Sequence, residues 1–128
     1  LLTHVSDVMR SGDAVPRVDP DATFNELMKQ ISAKSVGATA IVSPTNHVLG
    51  IFTDGDLRRL IEKGFDLRQV SAKEVMHTSP RTIRVNELAA MAAEMMETHS
   101  ITSILVLDAD DKLCGIVHIS DLMRAKVI

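Results

Sequence analysis

Residues 50–57 of this 128-residue chain recur, in pattern, at residues 115–122. Gly50-Ile51-Phe52-Thr53-Asp54-Gly55-Asp56-Leu57 lies against Gly115-Ile116-Val117-His118-Ile119-Ser120-Asp121-Leu122 with glycine, isoleucine, aspartate and leucine matched at an offset of 65 (115 minus 50). The same register pairs Ala40-Ile41-Val42 with Leu105-Val106-Leu107 and Val18 with Ile83, while Val8-Met9 answers Val75-Met76 at an offset of 67. One loop therefore differs in length by two residues, and the duplication spans essentially the whole chain. Self-similarity at a fixed period means a supersecondary unit that cannot bury its apolar face alone and needs its neighbour to do so. The repeat divides the chain into a first copy with its leading helix at 1–69 and a second at 70–128.

Local signals give each copy a β-α-β-β-α order. Thr23 followed by Glu26 is a capping-box pattern, and Phe24, Leu27, Met28 and Ile31 fall at i, i+3, i+4 and i+7, one face of a helix. Thr39 to Ser43 and Val48 to Thr53 are short apolar runs punctuated by Pro44-Thr45-Asn46-His47, a strand-turn-strand unit. A second helix is predicted from Asp54 to just before Gly64, a suitable C-terminal cap. In the second copy Leu88, Met91, Ala92 and Met95 are taken as the helix stripe, and Ser103 to Leu107 and Lys112 to His118 as strands around the turn Asp108-Ala109-Asp110-Asp111. The last helix begins near Ser120. Short leading segments, Val5 to Met9 and Ser71 to Met76, precede the copies, and Ser71-Ala72-Lys73-Glu74 is again a capping box. The fold class is α/β (α+β), with the two copies expected to bury their bare sheet faces against each other about a pseudo-twofold axis.

Composition narrows the functions open to such a chain. At 45% hydrophobic and 24% charged residues it has the means to build a core, and 14 basic against 17 acidic residues leave no electrostatic footprint for nucleic acid or an anionic membrane. No apolar stretch approaches a membrane span or a signal peptide, and the single Cys114 lies in an apolar run, which together suit a cytoplasmic protein. The opening at Leu1 without an initiator Met suggests a fragment of a larger enzyme. The five histidines lack the close spacing of a zinc site, and seven methionines, at positions such as Met28, Met91 and Met95, read as core filler. No nucleophile-base pair, metal constellation or Walker-type loop points to catalysis.

Two β-α-β-β-α copies, each with a Gly-apolar pair leading into a strand-to-helix Asp-Leu, resemble CBS motifs, and the pair resembles a Bateman module. More narrowly, Leu2 to Met9, Gly50 to Arg59, His99-Ser100-Ile101-Thr102-Ser103 and the ending Asp121 to Ile128 resemble the C-terminal half of arabinose 5-phosphate isomerases. That resemblance implies a sugar-isomerase domain upstream in the same chain, a place in the synthesis of Kdo for lipopolysaccharide, and dimers of CBS pairs inside a homo-tetramer. It implies no catalytic residue, metal or required cofactor in the present chain.

The CBS ribose-phosphate pattern, Thr or Ser followed three positions later by Asp, is met by Thr53-Asp54-Gly55-Asp56. An ionised Asp56 can accept both hydroxyls of a ribose cis-diol, the Thr53 hydroxyl beside a helix N-terminus can help hold phosphate, and Gly55 allows close backbone approach. The competing reading is that Thr53 or Asp54 simply caps the helix. In the second copy His118-Ile119-Ser120-Asp121 keeps the aspartate but puts His118 where Thr or Ser is expected, which leaves a second equivalent site open to doubt. By resemblance, the floor of the first site comes from Arg17 and Val18 and from Ala38 and Thr39. Thr102, Ser103 and Asp121 are the corresponding positions of copy two, and His99 is placed at the cleft between copies. Arg58 and Arg59 serve either an anionic ligand or ordinary surface pairs. The effector expected is a nucleotide-bearing ligand, CMP-Kdo in preference to an adenine nucleotide; the competing function is a structural oligomerisation module without a ligand.

Overall fold

The computed structural model describes residues 2–128. The chain opens with helix α1 (Val5–Val8) and a 3-10 turn at Gly12–Ala14, followed by β1 (Arg17–Val18), α2 (Phe24–Lys34), β2 (Ala38–Val42), β3 (Val48–Thr53) and α3 (Asp54–Glu62). A 3-10 turn at Leu67–Gln69, α4 (Ala72–Val75) and β4 (His77–Thr78) lead into β5 (Thr82–Arg84), α5 (Ala89–His99), β6 (Ser103–Leu107), β7 (Leu113–His118) and α6 (Ile119–Arg124). Both copies show the β-α-β-β-α order in a mixed α+β fold with two sheets, ordered β1-β2-β3-β4 and β5-β6-β7.

The repeat in sequence is a repeat in register. β1 runs parallel to β2, which forms an antiparallel hairpin with β3, and β5, β6 and β7 do the same. Both hairpins slip register at the equivalent step, between Ile41 and Val42 and between Val106 and Leu107. Both also turn through a left-handed residue at the equivalent place, Asn46 with φ 65° and Asp111 with φ 62°, residue types that tolerate that conformation because their short polar side chains bond locally. The long helices α2 and α5 each end on a left-handed serine, Ser35 and Ser100.

The chain forms two compact units, and they cut across the copies. One comprises Pro16–Pro80; the other joins Arg81–Ile128 to the leading segment that ends at Val15. Each copy's leading segment thus packs with the other copy's sheet. The Val5 amide donates to the Glu87 carbonyl at 2.8 Å and the Arg10 amide to Ile116 at 2.9 Å, while the Ala72 amide donates to Ala22 at 2.9 Å. The segment behind α4 adds β4 to the edge of β3, pairing His77 with Ile51 and Thr78 with Gly50. A split at residue 69 follows the repeat as written; the exchange of leading segments is a tertiary event with no local signal.

In the Pro16–Pro80 unit the predicted face of α2 is the buried one. Leu27 is fully enclosed with Ala22, Ile41, Phe52 and Ala72, and Phe24, Met28 and Ile31 pack against them. Phe24 meets Phe52 edge-on, ring centroids 6.2 Å apart at 82°, the geometry that ring quadrupoles favour. The Thr23–Glu26 capping box forms as expected.

In the other unit the helix face differs from expectation. Ala89, Ala92 and Met96 of α5 are buried with Val5, Ile83, Ile104, Val106, Val117 and Leu122, whereas Leu88 is the N-cap and Met91 is 45% exposed. Met91 is therefore a surface residue and not core filler, and Met95 is only partly buried. The run Ala89-Ala90-Met91-Ala92-Ala93 is apolar on every side, so its period cannot select a face. The offset of 65 can: it carries Phe24, Leu27, Met28 and Ile31 onto Ala89, Ala92, Ala93 and Met96. Among the described residues no helix is long and apolar enough to cross a membrane, and no group of three or more His, Cys, Asp and Glu side chains is placed to hold a metal ion.

Candidate functional site

Each unit has a junction where the last strand passes into the last helix. In the Pro16–Pro80 unit Thr53 ends β3 opposite Ala38, and the Asp54 amide donates to the Gly37 carbonyl at 3.0 Å. Gly37 has φ +67°, and a Cβ there would stand 2.8 Å from Asp54 Oδ2. The position thus excludes side chains both by backbone conformation and by the carboxylate lying over it.

Thr53 and Asp56 close a capping box on α3. Asp56 N donates to Thr53 Oγ1 at 3.2 Å, and Thr53 N donates to Asp56 Oδ2 at 2.9 Å. The Thr53 hydroxyl donates to that same oxygen at 3.0 Å. Oδ2 is therefore committed to the helix end. Oδ1 accepts from the Arg59 guanidinium at 2.6 Å, a pair in which Arg59 is 58% exposed and Asp56 17%. The cap reading of this sequence is realised, yet it uses only one carboxylate oxygen.

What Gly55 admits is the same arginine. A Cβ at Gly55 would lie 3.4 Å from Arg59 Nη1 and 3.5 Å from Nη2. Gly55 leaves room for the guanidinium to lie against the first turn of α3.

Of the other residues expected here, the structure places Ala38 beside Thr53, buried in the ladder. Arg17 is not at this end: its Nη1 donates to Asn46 Oδ1 at 2.9 Å, in the turn at the far end of the β2–β3 hairpin. Val18 packs on the core under α2. Thr39 is fully buried and its hydroxyl is the one buried side-chain polar atom without a partner among the described residues. The pleat puts it on the face of Ile41, inside the core.

The equivalent junction of the other unit is built alike and charged differently. Ser103 lies opposite His118, and the Ile119 amide donates to the Thr102 carbonyl at 2.9 Å. His118 replaces threonine as a cap through its ring: Ser120 N donates to Nδ1 at 3.1 Å, with Ser120 Oγ 2.7 Å from the same nitrogen. His118 N donates to Asp121 Oδ2 at 2.9 Å. Asp121 Oδ1 accepts from Arg124 at 2.7 Å, repeating the Asp56–Arg59 pair at the offset of 65.

A second arginine is added here. Arg10 Nε lies 3.2 Å from Asp121 Oδ1 and 3.1 Å from Oδ2, and its Nη2 is 3.4 Å from Ser120 Oγ. Asp121 is left 7% exposed. Burial opposes its ionisation, but the Arg10 hydrogen bond, the His118 amide and the charges of Arg10 and Arg124 outweigh it, so its pKa lies below the ordinary carboxylate value. Burial also lowers the His118 pKa, helped by the nearby Arg10 charge and opposed by Asp121.

Nothing in the sequence reading pointed to Arg10. The available signal was the match of Val8-Met9 with Val75-Met76, which aligns Arg10 with His77, a side chain exposed to solvent. His99, expected at this site, is exposed in the last turn of α5.

The shared Gly-Ile that marked the repeat serves the exchange of leading segments. A Cβ at Gly50 would come within 2.6 Å of Met76 Sδ and 2.8 Å of the His77 carbonyl; at Gly115 it would come within 2.6 Å of Met9 Sδ and 2.9 Å of the Arg10 carbonyl. Residues 5–63 and 72–128 each match the pattern of the CBS domain. The chain belongs to the CBS domain family.

This CBS pair is 42% identical over all 128 residues to the arabinose 5-phosphate isomerase KdsD of Salmonella typhi, matching its C-terminal part and spanning 39% of its length. Among solved structures it is similar to CBSX2 in complex with AMP, with a TM-score of 0.82 and 22% identity, covering 98% of this chain and 96% of that one. It is also similar to the CBS domain pair of MJ0100 in complex with 5′-methylthioadenosine and S-adenosyl-L-methionine, with a TM-score of 0.86 and 20% identity, covering 98% and 97%. At those identities the likeness is one of fold.

Proposed function

We propose that this CBS pair is a regulatory module that binds a nucleotide-type ligand at Thr53–Asp56 and reports its occupancy to a sugar-phosphate isomerase domain in the same, cytoplasmic, chain. The observation behind this reading is the division of labour in Asp56: Oδ2 caps α3 while, among the described residues, Oδ1 is held by the exposed Arg59. A ribose cis-diol can replace Arg59 on Oδ1 without dismantling the helix cap. The released guanidinium is then free to pair with the phosphate or carboxylate of the same ligand, which it suits by its planar donor fork. Such a ligand shifts the attached domain only by its differential affinity for two states.

CMP-Kdo is the favoured effector, since it combines a ribose with a carboxylate and is the activated product of the route that an arabinose 5-phosphate isomerase would open. An adenine nucleotide is the rival, as carried by the similar structures of CBSX2 and MJ0100. A structural module is the second reading, favoured by the exposed apolar side chains Ile61 on α3, Phe65 just beyond it and Met123 on α6, which would suit a dimer of CBS pairs within a tetramer.

Thermal unfolding with AMP, ATP, CMP and CMP-Kdo separates the two. A ligand at about 100 times its Kd adds ~2.7 kcal/mol and raises Tm by several degrees. The sensor reading expects one nucleotide to stabilise the wild type and to fail with Asp56→Ala. No shift with any of the four, together with dimers that persist in Asp56→Ala, establishes the structural module instead.

A further inference from the structure

The two junctions differ in one charged residue. Asp56 and Asp121 occupy equivalent positions, cap equivalent helices and pair with equivalent arginines, Arg59 and Arg124. On the strand segment that crosses beside them, one copy has His77 paired with Ile51, and the other has Arg10 paired with Ile116. The His77 side chain lies exposed, whereas Arg10 Nε sits within 3.2 Å of both Asp121 oxygens.

Both oxygens of Asp121 are thereby satisfied from within the protein. Oδ2 takes the His118 amide and Arg10; Oδ1 takes Arg124 and Arg10. Unlike Arg59, Arg10 is only 26% exposed. It also belongs to a backbone bridge, donating its amide to Ile116 and accepting from Ile116 N at 3.0 Å. Removing it from Asp121 would leave a guanidinium and a carboxylate partly desolvated and apart, which is the unfavourable way to break such a pair.

We propose that Arg10 is the built-in occupant of the second-copy junction: it fills the place a ribose diol would take, so that the chain has one nucleotide-competent carboxylate, Asp56, and position 10 or 77 decides which copy is open. This rests on the reading of Asp56 as a ribose acceptor. It goes further in assigning the second junction to an internal ion pair and in naming the residue that sets the stoichiometry.

The test exchanges the two residues in the 128-residue chain, with AMP and CMP as calorimetric probes and 2′-deoxy-AMP as the control for the diol. The wild type is expected to bind one equivalent, lost in Asp56→Ala. Arg10→His placed in the Asp56→Ala background, which introduces the side chain already tolerated at position 77, is expected to regain one equivalent and to lose it again with Asp121→Ala. His77→Arg, a substitution at an exposed position that leaves the fold alone, is expected to raise the wild-type Kd at least tenfold.

If the wild type takes two equivalents and Asp121→Ala removes one, the proposal is overturned. It is equally overturned if the wild type binds one equivalent while Asp56→Ala/Arg10→His stays folded and binds none, or if His77→Arg binds as the wild type does; in both cases the Asp56 reading stands. Binding by Asp56→Ala/Arg10→His but not by the wild type upholds the role of Arg10 and sinks the Asp56 site. No binding by either overturns both.

Discussion

Arg10 and Asp121, 111 positions apart in sequence, are joined by hydrogen bonds from one guanidinium nitrogen to both carboxylate oxygens, at 3.2 and 3.1 Å. Their pairing fastens the leading segment of one copy to the last helix of the other. It makes two nearly identical junctions chemically unequal.

Arg10→Ala leaves the nearly buried Asp121 with the His118 amide and the largely exposed Arg124 guanidinium. Losing one partner of a part-buried charge typically costs ~1–3 kcal/mol. Urea titration should show a loss of unfolding free energy of that size, whereas Arg124→Ala, which removes a largely exposed guanidinium, should change stability by less than ~1 kcal/mol. Equal effects would show that burial does not separate the two arginines.

His118 and Asp121 give stability two separate acid-side losses. The folded-state pKa of His118 lies below its ordinary 6.5, so the unfolded chain takes up its proton first. The stability held by the neutral ring is complete above pH 6.5 and is lost as pH falls below that value. Protonation also places a charge on a ring that faces Arg10 and Arg124, opposed by Asp121, and removes the Nδ1 acceptor used by the Ser120 amide. The Asp121 contribution persists to lower pH, being present above 3.8 and lost as pH falls through its depressed pKa. Replacing His118 with Asn, a good neutral cap, should flatten the stability profile just below pH 6.5 and leave the more acidic limb intact; an unchanged profile would exclude His118.

Gly50→Ala and Gly115→Ala should each destabilise by ~1–3 kcal/mol through overpacking, since the new methyl meets a backbone carbonyl that cannot swing away. Gly55→Ala meets the movable end of Arg59 and, at an ordinary contact distance of 3.7 Å, Thr53 Oγ1, and should cost less than ~1 kcal/mol. Chemical denaturation of the three variants orders them; a Gly55 variant as unstable as the other two contradicts the contact geometry.

Met91→Lys should be nearly neutral because position 91 is on the surface, while Met96→Lys should cost at least ~3 kcal/mol or abolish folding by placing a charge in the core. Comparing the two melting temperatures tests the observed face of α5 directly.

The helices, hairpins and capping boxes were legible because each is written in neighbouring residues. Thr23 and Glu26, Ser71 and Glu74, and the turns at Asn46 and Asp111 are local hydrogen-bonding devices, and their spacing is their geometry. The Thr53–Asp56 junction was legible for the same reason. The face of α5 was missed where apolar residues surround the helix, although the repeat held the answer in Leu27 and Ala92. The place of Arg17 was missed because its partner, Asn46, is chosen by side-chain reach across a hairpin.

By itself, the sequence determined that this protein is a duplicated β-α-β-β-α unit, where its helices begin, and which two carboxylates stand at the strand-to-helix junctions, because those properties depend on interactions within a few residues. Only the tertiary structure decided that the leading segments exchange between copies, bringing Arg10 to Asp121 and leaving His77 exposed near the start of β4. The physical reason is distance along the chain: an ion pair across 111 residues has no period or spacing to announce it, and exists only once the backbone bridge from Arg10 to Ile116 has formed.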